Sequence, residues 1–324
     1  MDMLTQPILG QALWLWVFFL LGVGTILTLD LGVFNRRDHV INTAESLRLT
    51  LVYICLGLLF GLWVHALNGS ASALNYYTVY ALELSLSLDN LFVMSVIFTS
   101  LHIPRQYQHR ILVWGIIGVI VMRGAMIATG AVLVDRYGWV IFLFAAILIY
   151  TGIRMFFMKT DEGGENYAEK PYVKFMAKHM RVSDKIEGNR FFVRRALIDG
   201  SGKTVLFATP LFLAVCVIEI TDLLFAFDSV PAALAVTSDT YVVITANIFA
   251  ILGLRAMFFA MQSVLHRFAY MKYALSILLV FIGLKVFYNH LFGKIMPEIS
   301  LSLTLLILVS GVVISILRTK NVEK

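Results

Sequence analysis

Residues 218–231 read IEITDLLFAFDSVP and place three carboxylates in an otherwise apolar run. An Asp near the centre of a membrane helix costs roughly 3 kcal/mol on insertion scales. A spanning helix that keeps Glu219, Asp222 and Asp228 must therefore turn them towards a polar interior that offers partners. This stretch predicts both a membrane fold and a functional site inside it.

Composition supports the membrane interpretation. The chain of 324 residues is 60% hydrophobic and 14% charged, with a mean hydropathy of +0.84, whereas soluble domains carry about 25% charged residues. Apolar runs near the ~20 residues that a spanning helix needs recur along the chain. The nine runs are 11–32, 46–66, 76–100, 111–134, 138–157, 205–228, 241–264, 272–291 and 299–317. The predicted fold class is all-α, a polytopic membrane protein with about nine transmembrane helices.

Two of these runs carry the same acidic pattern. ELSLSLDN begins at Glu83, and aligning Glu83 with Asp222 places Asp89 on Asp228 and Asn90 on Ser229. The match continues with VMRGAM against LGLRAM, and then with ILIYTGIRMF against LLVFIGLKVF. Three matched blocks in one order predict a repeat of three helices, helices 3–5 and 6–8. An odd number of helices makes the second copy enter from the opposite side, so the repeat is inverted, and such repeats place a substrate site near the midplane.

This pattern divides a single transmembrane domain, residues 1–324, into five parts. They are helices 1 and 2 (1–66), repeat A (76–157), a cytoplasmic loop (158–204), repeat B (205–291) and helix 9 (299–317). Within the loop, PYVKFMAKHMR predicts a basic amphipathic helix lying along the inner membrane surface. RFFVRRALIDGSGKTVLF predicts a β-hairpin. The loop is interpreted as a linker, with docking of a protein partner as the alternative.

The net charge of +6 is explained by the loops rather than by nucleic acid binding. Lys and Arg concentrate on the odd-numbered loops and the C-terminal tail, and only Arg136 and Lys294 fall on the N-terminus and the even-numbered loops. The positive-inside rule then places the N-terminus outside and the C-terminus in the cytoplasm.

Six acidic residues fall inside predicted helices: Asp30, Glu83, Asp89, Glu219, Asp222 and Asp228. Four helix-borne cations could pair with some of them: Arg123, Arg154, Arg255 and Lys285. Pro231 predicts a break in helix 6 that would free backbone carbonyls as further ligands. Arg123 and Arg255 either compensate the charge of the acids or pair structurally, and Asp30 is either an auxiliary ligand or an ion-pair partner.

Ligand chemistry indicates the class of substrate. Carboxylate, amide, hydroxyl and carbonyl oxygens suit magnesium, calcium or manganese(II) rather than zinc or copper(I). The predicted metal ligands are Glu83, Asp89, Asn90, Glu219, Asp222, Asp228 and Ser229. Protons compete with a metal for carboxylates, which offers a route to couple metal export to proton entry. No catalytic residues and no resident cofactor are expected.

At these residues the chain resembles the TerC family of integral membrane proteins, in particular its Alx-type bacterial members. The matching motifs are ELSLSLDNLFV, ATPLFLAVCVIEITDLLFAFDSVPAALAVT, NIFAILGLRAM and KYALSILLVFIGLKV. The resemblance implies a nine-helix protein of the bacterial plasma membrane, related to LysE-type transporters, and export of manganese(II). It carries the family's acidic residues over to Glu83, Asp89, Glu219, Asp222 and Asp228.

Three functions follow as expectations. The first is a manganese(II) exporter, with lipid bilayer, divalent metal and protons as its partners. The second is a transporter of another cation such as calcium. The third is a membrane partner or scaffold, acting through loop 158–204, that aids metallation of secreted proteins or a stress-resistance complex. An intramembrane aspartyl protease is disfavoured, because the inverted repeat suits transport and no protease motif is present.

Overall fold

The computed structural model describes residues 7–32, 43–157, 166–183, 186, 188–196, 204–262 and 270–322. Helices dominate this part of the chain, joined by two short β-hairpins. The elements are β1 (Pro7–Ile8), β2 (Gln11–Ala12), α1 (Leu13–Gly32), α2 (Thr43–Ser100), α3 (Arg105–Arg136), α4 (Val140–Phe157), a 3-10 turn (Tyr167–Glu169), α5 (Pro171–His179), β3 (Phe192–Ala196), β4 (Thr204–Ala208), α6 (Pro210–Val236), α7 (Thr240–Leu252), α8 (Leu254–Met261), α9 (Met271–Leu291) and α10 (Pro297–Val322).

Membrane-spanning helices make up most of the fold. Among the described residues, six helices are long and apolar enough to cross a bilayer, or seven when α7 and α8 count as one bent span. The predicted all-α, polytopic class is confirmed. The number of nine crossings stays a prediction.

The second and third predicted spans lie in one 58-residue helix, α2, which kinks at Gly69. Gly69 has a φ of +83°, in the region that only glycine adopts without strain. After the kink the chain folds back, since the Tyr76 hydroxyl donates to the Gly57 carbonyl at 2.9 Å. The two halves of α2 therefore lie side by side, and the second half carries Glu83 and Asp89.

The sixth predicted span differs from the expectation in two ways. Residues 204–208 form β4, and the helix α6 begins at Pro210 and continues to Val236. Pro210 suits the first helical position, where no amide hydrogen is needed. The predicted break at Pro231 is wrong, because α6 is helical through that residue. One missing amide leaves only the Phe227 carbonyl without its helical partner, and a helix can absorb that loss.

A bend does occur in the seventh predicted span. α7 ends at Leu252 and α8 begins at Leu254, and the two helices differ in direction by 40° at Gly253. Asp239 fixes the start of α7, because its side chain accepts hydrogen bonds from the amides of Tyr241 and Val242. The interruption therefore falls in repeat B, but on a different helix from the one predicted.

Part of loop 158–204 folds against the helices. Val173 of α5 is buried in the cluster formed with α2, α3 and α6, and Met176 and Ala177 pack against that cluster. The prediction that this apolar face lies on the membrane is wrong, since the end of α2 and the starts of α3 and α6 cover it. The predicted hairpin is confirmed, with β3 and β4 antiparallel and Phe192 opposite Ala208. Its turn lies outside the described residues.

α4 and α9 pack closely through one glycine from each helix. A Cβ at Gly152 would meet the carbonyl of Ser276 at 2.7 Å, and a Cβ at Gly283 would meet the carbonyl of Ala145 at 2.7 Å. The sequence alignment of the two repeats pairs Gly152 with Gly283 and, at the same offset, Ala145 with Ser276. Reciprocal contacts of this kind are what a twofold relation between α4 and α9 predicts, although the inverted repeat as a whole stays a prediction.

Candidate intramembrane acidic site

The centre of the site is Arg123, which lies in the middle of α3 and is 1% exposed. Its Nη1 donates to Glu83 Oε2 at 2.7 Å. Its Nε and Nη2 donate to the two oxygens of Asp222 at 3.0 and 2.9 Å, a two-point contact. The planar guanidinium thus joins the carboxylates of α2 and α6 that the sequence alignment pairs.

Two polar side chains complete this group. The Asn90 amide donates to Asp222 Oδ1 at 3.1 Å, and Arg123 Nη1 reaches the Ser229 hydroxyl at 3.3 Å. Asn90 and Ser229 are also paired by the repeat, and both are buried. We call these five side chains the Arg123 cluster: Glu83, Asn90, Arg123, Asp222 and Ser229. One cation faces two carboxylates, so the cluster holds an excess of negative charge.

Glu219 lies outside the Arg123 cluster, against α3. A Cβ on Gly118 would overlap the Glu219 carboxylate, so the bare glycine makes the space in which that group sits. Both carboxylate oxygens are buried and have no hydrogen-bond partner among the described residues. Buried acceptors are nearly always bonded, so the Glu219 carboxylate is a candidate to bind a proton or a cation.

The remaining two acids lie apart from the Arg123 cluster. Asp228 accepts a hydrogen bond from Thr151 of α4 at 3.0 Å. The positive charge of Arg154, also on α4, attracts the Asp228 carboxylate. Asp89 is half-buried, and no residue in the described part of the chain hydrogen-bonds to it.

The predicted ligands therefore do not form one metal site in this conformation. Within the described residues, no three His, Cys, Asp or Glu side chains are placed to hold a metal ion together. The reason lies in helix geometry, because residues six apart point about 240° apart around a helix, and α6 does not unwind to bring Asp228 to Asp222. Arg123 occupies the space between the two acids that do converge.

The other predicted auxiliary residues differ in their positions. Arg255, which the sequence alignment pairs with Arg123, is buried and contacts the His109 ring. It is not part of the Arg123 cluster. Asp30 falls in α1, but its side chain lies outside the described residues.

Sequence reasoning missed Asn247 of α7. This side chain is 0% exposed, and neither its amide nitrogen nor its amide oxygen has a hydrogen-bond partner within the described residues. It lies beside Glu83, whose Oε1 is also unpartnered. The sequence could have indicated Asn247, because it is the one amide side chain in the largely apolar run VVITANIFAIL and the first residue of the motif NIFAILGLRAM.

The amino-acid sequence matches a known family over most of the chain. The profile of the "Integral membrane protein TerC family" matches residues 68–323. This chain belongs to the TerC family. The matched region includes the Arg123 cluster, Glu219, Asp228 and Asn247.

Full-length relatives of this TerC protein are bacterial. An "Uncharacterized membrane protein" of Rickettsia bellii is 40% identical over 311 residues, which cover 95% of this chain and 99% of the relative. "Uncharacterized membrane protein STKORF319" of Myxococcus xanthus is 39% identical, covering 95% and 93%. The "Putative membrane-bound redox modulator Alx" of Escherichia coli K12 is 38% identical over 281 residues, covering 84% and 85%. No solved structure matches this chain.

Proposed function

We propose that this TerC protein exports a divalent metal ion across the bacterial plasma membrane, with manganese(II) as its substrate, and that it is a transporter rather than an enzyme. The observation that carries the proposal is the Arg123 cluster. Repeat-related carboxylates from α2 and α6 are buried mid-helix on one guanidinium. Burial of charged groups in a membrane protein is costly and marks ion pathways.

In this proposal Arg123 acts as a tethered counter-ion that a metal replaces. Glu83, Asp222, Asn90 and Ser229 supply oxygen atoms of the kind that manganese(II) and magnesium bind. Release of Arg123 would leave these oxygens to the incoming cation. The two carboxylates then face one positive charge without substrate and two with it.

The separate acids fit successive positions along a path. At 1.5 Å per helical residue, Glu219 lies about 4.5 Å from Asp222 towards the start of α6, and Asp228 lies about 9 Å away towards its end. With the N-terminus outside, Glu219 is on the cytoplasmic side of Asp222 and Asp228 is on the outer side. The metal would then meet the Arg123 cluster before Asp228, and Glu219 would lie on the cytoplasmic side of both.

Side chains pack tightly beside the Arg123 cluster. A cavity of about 10 Å³ beside Asn90 and Asp222 has room for one water at most. Towards the outer end, Leu234 packs on Gly130 of α3, and beyond it lies a cavity of about 670 Å³ that reaches Asp135 and Asp239. Transport requires these contacts to open alternately, as expected of a site between repeats.

The test is metal uptake into inverted membrane vesicles, in which export appears as accumulation in the lumen. Manganese(II), magnesium, calcium and zinc are compared for wild type, for Asp228→Asn and for Glu298→Gln. Glu298 is an exposed acid in the first turn of α10, so its variant serves as the matched control. Accumulation of manganese(II) that is lost only in Asp228→Asn supports the proposal. If manganese(II) neither accumulates nor competes with another metal, the proposal fails.

A second candidate is a membrane partner or scaffold that acts through loop 158–204. It is favoured by apolar side chains exposed at the predicted cytoplasmic face, Phe175 at 62%, Phe192 at 44% and Leu206 at 54%. Deleting the loop would remove Val173 and expose the apolar cluster of α2, α3 and α6 that it covers, so point changes are the better test. Phe175→Ser with Leu206→Ser should abolish a scaffold activity and leave metal flux by the purified protein unchanged.

A further inference from the structure

A slot runs between α9 and α10, next to the end of α4, and none of the residues of the acidic site lines it. Its volume is about 540 Å³, within the range of roughly 300–1,000 Å³ typical of ligand sites. Its walls are largely apolar and include Phe156 from α4, Ile277 from α9 and Ile307 from α10.

The dimensions of the slot match one leaflet of the bilayer. Along α10 its lining extends from Leu306 to Arg318, which at 1.5 Å per residue is about 18 Å. Half of a hydrocarbon core of ~30 Å is ~15 Å. The slot is therefore long enough for one acyl chain and does not cross the membrane.

The mouth of the slot has the features of the membrane interface. Arg318 lines it, as do Tyr270 and Tyr273, whose rings are 6.2 Å apart. Lys272 lies over the Tyr273 ring at 4.9 Å. The positive-inside rule places this end of α10 at the cytoplasmic surface, where Tyr is enriched and basic side chains meet anionic headgroups.

We propose that this slot binds an anionic phospholipid of the inner leaflet, with one acyl chain between α9 and α10 and the phosphate on Arg318. An apolar groove of leaflet length with a basic mouth is complementary to such a lipid in both shape and charge. A neutral zwitterionic lipid offers the same chain, but it lacks the net charge that Arg318 selects.

Occupancy of the slot would steady the packing of α10. α10 packs closely on α9 where a Cβ on Gly311 would overlap the Ala274 side chain. Nearer to Arg318, the Ser315 hydroxyl accepts a hydrogen bond from the Tyr270 amide at the start of α9. A bound chain would fill the slot that lies beside these two contacts and would add apolar contacts between α9 and α10.

The test is native mass spectrometry of the full-length protein released from bilayers of phosphatidylcholine mixed with phosphatidylglycerol. Arg318→Gln removes the charge at the mouth, and Ser310→Phe fills the slot. Lys294→Gln and Val309→Phe are the matched controls, because both residues are exposed and neither lines the slot. Phosphatidylglycerol should be retained in preference to phosphatidylcholine. Its affinity should fall roughly fivefold in Arg318→Gln, as expected for one basic side chain near an anionic surface at ~1 kcal/mol.

Photolabelling provides a second and independent measurement. Phosphatidylglycerol carrying a diazirine in its acyl chain should label peptides of α9 and α10 in wild type, and Ser310→Phe should lose that labelling while Val309→Phe keeps it. Equal retention of the two lipids, or labelling of Ser310→Phe at the wild-type level, would overturn the proposal. Both measurements report binding alone, so they stand whether or not the protein transports manganese(II).

Discussion

At the scale of single residues, the guanidinium of Arg123 decides how the buried acids are arranged. It is almost fully buried and bonded to Glu83, Asp222 and Ser229. Removing one partner of a buried ion pair leaves the other charges uncompensated, at a cost of roughly 3–5 kcal/mol. The same removal frees carboxylate oxygens for a metal.

We therefore expect Arg123→Ala to lower the thermal unfolding midpoint of the purified protein strongly, because two buried carboxylates lose their cation. Manganese(II) should raise that midpoint more in Arg123→Ala than in wild type, since the metal then takes the place of the guanidinium. Arg136→Ala, at the exposed end of the same helix, is the control and should behave like wild type. An Arg123→Ala protein that manganese(II) does not stabilise would contradict the counter-ion role.

A substitution at Asn247 should affect thermal stability and transport differently. Leucine has a similar size and has no polar atoms to leave unbonded, and a buried unpartnered polar group costs about 1–3 kcal/mol. Asn247→Leu should keep or raise the unfolding midpoint and should lose manganese(II) transport, because its amide lies beside Glu83.

The control for Asn247→Leu is Thr304→Val in α10. The Thr304 hydroxyl is likewise buried and without a partner in the described part of the chain, but α10 does not contribute to the Arg123 cluster. Thr304→Val should match the stability effect and keep full transport. If Asn247→Leu also transports at the wild-type rate, Asn247 has no role with the substrate.

At the scale of elements, α3 carries both the cation of the site and the glycine that accommodates Glu219. A methyl group at Gly118 would overlap the Glu219 carboxylate. The same change at Gly124, on the same helix, meets no atom within 4 Å. With an acidic vesicle lumen, we expect Gly118→Ala to reduce the rate of manganese(II) uptake severalfold and Gly124→Ala to leave it unchanged, because Glu219 is the residue we expect to carry the proton. Equal rates for the two variants would show that the position of Glu219 does not matter.

Elements are also the scale at which the sequence predicts best. Apolar runs located the spanning helices, because every backbone group in a bilayer must be bonded within its own helix or barrel. Local rules failed where tertiary contacts decide. Pro231 stays inside α6, and α5 turns its apolar face to the protein. Composition alone distinguishes neither a tolerated proline from a break nor a protein surface from a lipid surface.

In the site, too, the sequence predicted which residues take part but not the positions that depend on tertiary packing. The repeat alignment placed Glu83 and Asp222, and Asn90 and Ser229, at equivalent positions, and these four predicted ligands meet in the Arg123 cluster. The sequence did not predict that Asp89 and Asp228 lie elsewhere, because side-chain direction depends on the rotation of each packed helix. Nor did it predict that Arg255 contacts His109, since the alignment matches residues and not their surroundings.

At the scale of the whole molecule, cysteine variants of this protein can test whether it has the redox role that the name of the Escherichia coli relative suggests. This chain has two cysteines, Cys55 in α2 and Cys216 in α6, and both are free thiols. If the protein is a metal transporter, a Cys55→Ser, Cys216→Ser double variant should move manganese(II) at the wild-type rate under oxidising and reducing conditions. A double variant that loses transport, or loses its response to the redox state, would favour thiol chemistry.

Coupling of metal export to proton entry would also be a property of the whole molecule. In inverted vesicles the lumen corresponds to the outside of the cell, so exchange of metal for protons predicts that an acidic lumen accelerates manganese(II) uptake. An ionophore that dissipates the pH gradient should return the rate to its basal value.

Glu219 is the residue we expect to carry the proton, because it stands apart from the Arg123 cluster and both of its oxygens lack partners among the described residues. Glu219→Gln should therefore keep the basal flux and lose its acceleration by the gradient, while Asp228→Asn should lose flux under both conditions. Loss of basal flux in Glu219→Gln would instead make Glu219 a metal ligand, because a glutamine amide can replace a protonated carboxyl but cannot supply the negative charge that a divalent cation needs.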